Sequence, residues 1–205
     1  TLVKRSPVYL HAAIEEGYLA GHTDGHVRWF YQAPLMTPMS IEMVRALASR
    51  HHRAGADGLY VFNWFATQPT YGSDLVPALD DIADPERLRF QNKHYLIMRS
   101  SDSFPNCLDV QRKIPLTITN DPSVLTFDIT DDVEGTMDIV RSVRLLLHVA
   151  NATVDDELEV CMMNTGEQTK LPLTNPMVPG GRQDPLSAWF IYDLRTSPPH
   201  AGVND

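Results

Sequence analysis

Cysteine is scarce in this chain of 205 residues: Cys107 and Cys161 are the only two, far apart and without a Cys-x-x-Cys spacing. That excludes a zinc knuckle and leaves room for at most one disulfide. Long hydrophobic runs are missing too, so no membrane span is expected. Positive charge is short, with 17 Lys and Arg against 26 Asp and Glu, for a net charge of −9. Nucleic-acid backbones are held by clustered cations, and no basic patch with interleaved aromatics occurs, so nucleic acid is excluded as a partner. No internal repeat or low-complexity tract stands out. The chain opens on Thr1 and not Met, without a visible signal peptide, which fits a mature form or a piece of a longer protein. Localisation is not legible from that start; an extracellular or periplasmic setting is favoured. What is present is a globular composition, 43% hydrophobic and 21% charged.

The richest stretch runs from Ser40 to Phe65. Ile41, Val44, Leu47, Ala48 and Ala54 recur at helical spacing, with Arg45, Ser49, Arg50 and Arg53 on the other side. Ser40 has the character of an N-cap and Glu42 sits in the first turn. Arg50, His51, His52 and Arg53 crowd the last turns, where the helix dipole favours cations. Gly55 supplies the left-handed residue that stops the helix, and Asp57-Gly58 makes a tight turn. The next segment, Leu59 to Phe65, is apolar on both faces until Asn63, which predicts a parallel strand covered on both sides. In such folds ligands sit at the carboxyl ends of strands, which places Asn63 and Trp64 where a site would be.

The character of the chain changes once. Up to about Met98, strand and helix signals alternate: a short strand over 8–14, a long loop over 17–38 with an extended piece at 27–31, the helix and strand just described, then a helix over 75–83 stopped by Asp84-Pro85 and a further turn over 86–90. From Phe104 the signals are all β, with strands expected over 116–119, 124–129, 141–149, 157–163 and 188–194. Turn-rich segments such as Asn120-Asp121-Pro122 separate them. Val143, Leu145, Leu147 and Val149 alternate with Arg144, Leu146 and His148, which predicts one buried face. A run of short strands of this kind reads as an antiparallel β-sandwich over 104–205.

The segments "AGADGLYVFNWF" and "LDDIADPERLRFQNKHYLI" resemble the end of the catalytic barrel in a group of bacterial glycoside-hydrolase-like proteins. There a (β/α)8 barrel closes with a GADG turn and a strand ending in FN, and a small β-sandwich follows, whose strands resemble "VRLLLHVANATVDDELEVCMMNTG". The resemblance covers most of residues 40–165 and contains no catalytic signature. It implies that residues 1–98 are the closing segment of a TIM barrel, since a whole barrel takes about 250 residues. It also implies a truncated sandwich, without the closing "G-N" strand after "AWFIYDL". The rest of the barrel would then come from a missing N-terminal part or another chain.

Barrel glycosidases need two carboxyl groups flanking the scissile bond. In the strand over 8–14 and its end, Tyr9, His11, Ala13 and Glu15 share one face by alternation, and Glu16 falls to the other face or the loop. The resemblance implies that the penultimate strand carries the nucleophile, which singles out Glu15 as nucleophile or base with His11 tuning it; the plainer alternative is a solvated Glu15-Glu16 pair. The partner carboxylate would lie on an earlier strand. Asn63 and Trp64 offer an amide and an aromatic face for a sugar ring, with Tyr18, Trp29 and Tyr31 able to extend the platform; alternatively Trp64 is core and the loop aromatics are anchors. His22, Asp24 and His26 lie close enough to converge on a divalent ion, yet lack the helical His-x-x-x-His frame, and an ordinary turn is favoured. Acidic pairs such as Asp131-Asp132 and Asp155-Asp156 lack calcium-loop spacing. No metal and no cofactor are expected.

The sequence thus reads as a closing TIM-barrel segment joined to a β-sandwich in a carbohydrate-active protein, a glycoside hydrolase acting by carboxylate acid/base chemistry on an oligosaccharide or polysaccharide. The alternative is a non-catalytic carbohydrate-binding or cell-surface interaction module.

Overall fold

The helix announced by residues 40–55 organises everything around it. In the computed structural model, which describes residues 9–15, 17–19, 36–62, 76–97, 114, 116–152, 156–164, 167–179 and 187–205, the chain divides into two compact units, Thr1–Pro122 and Ser123–Asp205. The first unit contains strands β1 (His11–Glu15), β2 (Gly17–Leu19), β3 (Met36–Pro38) and β4 (Gly58–Phe62) and helices α1 (Ile41–Arg53), α2 (Ala78–Ile82) and α3 (Pro85–Leu88). The Ser40 side chain caps α1 by accepting from the Met43 amide at 3.3 Å, and Gly55 follows the C-cap at φ 91°.

β1 and β4 pair in parallel, in register from His11 with Gly58 to Glu15 with Phe62. The Asp57 turn ties them at the start: the Leu10 amide donates to Asp57 Oδ2 at 2.7 Å, and the Asp57 amide donates back to the Leu10 carbonyl at 2.8 Å. Ile14 of β1 joins Val44 and Ala48 of α1, Ala78 and Ile82 of α2 and Leu88 of α3 in one core, with Leu59 and Val61 packed against it. The opposite face of the pair is bare: Tyr9, His11, Ala13 and Tyr60 are exposed. The apolar run from Leu59 therefore does not mean cover on both sides, and the described strands do not close into a barrel. The expected loop over 17–38 contains a short antiparallel pair, β2 with β3. The extended piece expected over 27–31 lies outside the described residues.

Arg45 also departs from its expected place on the polar side of α1. Its Nε and Nη2 donate to Asp81 Oδ2 at 2.9 and 2.7 Å, and Arg87 Nε lies 3.0 Å from Asp81 Oδ1. The Asp81 carboxylate is almost wholly buried and links all three helices. α3 begins where Asp84 Oδ1 accepts from the Glu86 and Arg87 amides, with Pro85 in its first turn.

At the end of α1, burial holds the His51 imidazole below its ordinary pKa, and the positive neighbours Arg50 and His52 push the same way. The folded state therefore favours neutral His51, and the unfolded chain takes up the proton first as pH falls. The stabilisation is complete above the unfolded value near 6.5 and is lost as pH drops through the folded one. Melting followed from pH 7.5 to 5 should show this loss, and His51→Gln should flatten the slope. An unchanged slope would place the acid sensitivity elsewhere.

The second unit is strand-rich and antiparallel. β5 (Phe127–Ile129) pairs with β11 (Gly202–Asn204), β7 (Cys161–Asn164) with β8 (Glu167–Lys170), and β6 (Arg144–Ala150), β10 (Ser187–Asp193) and β9 (Leu173–Pro179) form a sheet with β10 in the middle. Met162, Leu171, Ala188, Phe190, Tyr192 and Leu194 form its core, with Phe127, Val143, Leu145, Leu147 and Val149 packed around them. The alternation expected over 143–149 is present. The strand expected over 116–119 is not: Leu116 and Ile118 are exposed beside a turn in which Thr119 Oγ1 accepts from the Asp121 amide at 3.2 Å. Three strands were not expected, namely β8, β9 and β11. A Gly202-Val203-Asn204 strand thus does follow "AWFIYDL". Asn204 is buried and pins it, accepting from the His200 amide and donating to the His200 and Gly202 carbonyls, all at 3.0 Å.

Tyr192 holds this core from within. Burial pushes its hydroxyl up to about 12, and the hydroxyl donates to the Leu158 carbonyl at 2.5 Å. Tyr192→Phe leaves that carbonyl without its donor and should cost about 1–2 kcal/mol in urea unfolding. A change below about 0.3 kcal/mol would mean that water replaces the hydroxyl at no cost.

Candidate functional site

The carboxyl ends of β1 and β4 lie side by side because the pair is parallel. Of the residues expected from the sequence to form the barrel site, His11 is the one whose side chain the structure describes. It lies on the bare face, and its ring covers Gly58, where a Cβ would come within 3.4 Å of His11 Cε1 and Nε2. A Cβ there would only touch the ring at ordinary van der Waals distance, so Gly58 is set against the imidazole as well as in the turn expected of Asp57-Gly58. Glu15 ends β1 opposite Phe62, and Tyr18 is the middle residue of β2, opposite Thr37. The side chains of Glu15 and Tyr18 lie outside the described residues, as do Glu16, Asn63 and Trp64 entirely. So do Trp29, Tyr31, Cys107, Asp155 and the His22, Asp24, His26 turn.

Tyr60 is the residue on this face that sequence reasoning passed over. It pairs with Ala13 and is 56% exposed, which sets an aromatic ring one strand position from His11 on the same bare face. The signal was available: Tyr60 alternates with Leu59 and Val61, the two residues that pack on the core. An imidazole and a phenol on one face can hydrogen-bond hydroxyls and stack against a ring.

Among the described residues no three His, Cys, Asp or Glu side chains converge as a metal site. No helix among them is long and apolar enough to cross a membrane. The chain matches no protein-family model and no curated protein.

Proposed function

We propose that this chain is part of a carbohydrate-active protein, a glycoside hydrolase in which β1 and β4 are neighbouring strands in the closing segment of a (β/α)8 barrel and the second unit is a β-sandwich. One observation carries the reading: the parallel pair is covered by helices on one face and bare on the other, with His11, Ala13 and Tyr60 on the bare side. Barrel strands have this asymmetry, helices outside and the strand-lined interior within. The remaining strands would come from a longer form of the protein or from another chain.

In this reading Glu15, at the carboxyl end of β1, is the nucleophile or base and His11 tunes it from two residues away. A carboxylate there stabilises the oxocarbenium-like transition state from the cavity that holds the sugar. Asn63 and Trp64, just past the end of β4, and Tyr18 on β2 hold the sugar ring, and the acid partner comes from another strand. The test is release of reducing ends from a panel of glycans by wild type and by Glu15→Gln. Hydrolysis that survives the substitution overturns the assignment. A second reading, a non-catalytic carbohydrate-binding module, is favoured by the absence of barrel closure among the described strands. It predicts glycan binding without hydrolysis in any form of the protein.

A further inference from the structure

The face of the β6–β10 pair turned away from the core carries a row of side chains that runs from the buried Ser187 past the exposed Trp189 to the partly buried Asp193. Ala188, Phe190 and Tyr192 of β10 point into the core, which leaves Ser187, Trp189, Ile191 and Asp193 for the other face. Their register partners on β6 are Ala150, His148, Leu146 and Arg144. The row therefore runs from an aromatic and imidazole step, through an aliphatic step, to a charged step. Alternate residues on a strand lie roughly 6.8 Å apart, so Trp189 and Asp193 are separated by roughly 14 Å. That is the length of two to three pyranose rings.

Three features set this row apart from a scattering of exposed residues. Trp189 is 38% exposed, and its ring is held against His148 with centroids 4.6 Å apart and planes tilted by 30°. His148 Nε2 is itself fixed at 2.8 Å from the buried Ser187 hydroxyl, so the ring pair is set in place before any ligand arrives. On the other side of β10, Trp189 pairs with Val178 of β9, and the pairing shifts register just beyond it, with the extra residue on β9. At the far end Arg195 grips Asp193 through Nε and Nη2, at 2.9 and 2.6 Å from Oδ2. This pair holds the Asp193 carboxyl below its usual range, and the Arg195 side chain remains more than half exposed at the end of the row.

We infer that this row is a saccharide-binding surface, taking a neutral polysaccharide chain laid along β10 with one pyranose stacked on Trp189. A pyranose has an apolar C–H face and a hydroxyl rim, which match a flat ring followed by a carboxylate and a guanidinium. Among the described side chains of the β6–β10 pair, the exposed large apolar ones on this face are Trp189 and Leu146, far less than the roughly 800 Å² per partner of a stable protein interface. The net charge of −9 disfavours an acidic glycan. The choice of a sugar as occupant rests on the carbohydrate-active reading above, but not on hydrolysis.

The experiment is native affinity electrophoresis of the 205-residue chain in gels containing hydroxyethyl cellulose, xylan, galactomannan or soluble starch. Wild type should be retarded by at least one of them. Trp189→Ala should weaken the retardation about tenfold or more, and Trp189→Phe should keep part of it. A cooperative melt retained by Trp189→Ala separates lost binding from lost fold. No retardation of wild type by any of the four, or equal retardation of wild type and Trp189→Ala, overturns the inference. So does a change in oligomeric state of Trp189→Ala on gel filtration with retardation intact, which would make the row a protein contact. Retardation without hydrolysis removes the enzyme reading alone, and hydrolysis with Trp189-independent retardation removes this inference alone.

Discussion

Glu15→Gln is expected to lower glycoside turnover by roughly a thousandfold or more in a form of the protein that hydrolyses a glycan, with melting and glycan binding nearly unchanged. The substitution keeps the shape of the side chain and removes its charge. A neutral amide neither forms the glycosyl ester nor activates water, and it gives an oxocarbenium ion no charge to lean on. Glu16→Gln removes the same charge one position later, where strand alternation no longer directs it to the face of His11, and should change turnover less than threefold. Initial rates of reducing-end release for the two variants decide the matter. Near-wild-type rates for both would make the pair an ordinary solvated one and leave the binding module as the better reading.

Asp81→Ala should destabilise the first unit by about 3–5 kcal/mol. The carboxylate is 6% exposed and receives Arg45, itself only 16% exposed, through two hydrogen bonds. Its loss strands the Arg45 guanidinium in the interior without a counter-charge. Arg87 is half exposed, so Arg87→Ala should cost less than about 1 kcal/mol. Urea unfolding of both variants reads the contrast directly. If the Asp81→Ala, Arg45→Met double variant regains most of the lost stability, the cost lies in the unpaired cation and not in the gap left by the carboxylate. Equal, small losses for Asp81→Ala and Arg87→Ala would mean that water reaches the Arg45 head.

Local chemistry was the legible part of this sequence. Ser40 and Gly55 bound α1 because capping and left-handed termination need only neighbours in sequence, and Asp84-Pro85 separates α2 from α3 for the same reason. The parallel pairing of β1 and β4 followed from a helix placed between two apolar strands. Burial was harder to read. Leu59, Tyr60 and Val61 look alike in an apolar run, yet two face α1 and one does not, because only tertiary contact decides which side of a strand is covered. Arg45 looked like a solvated residue until Asp81, 36 positions later, claimed it. β9 was missed because Pro176 and Pro179 argue against a strand unless the strand lies at an edge. Of the site, the face shared by His11 and its neighbours was legible from period-two alternation. The same alternation sets Tyr60 apart from Leu59 and Val61, but its aromatic ring counted as core.

Pro176 and Pro179 have a consequence for how this protein behaves at high concentration. Among the described strands β9 forms one border of the β6–β10–β9 sheet, and each proline removes an amide hydrogen from it. A border strand with a full set of amides is a template on which other chains stack into fibrils. Interrupted twice in seven residues, this one offers an incoming strand no continuous ladder. At this border the sheet thus carries its own guard against cross-β growth, built from the residues that hid the strand in the sequence.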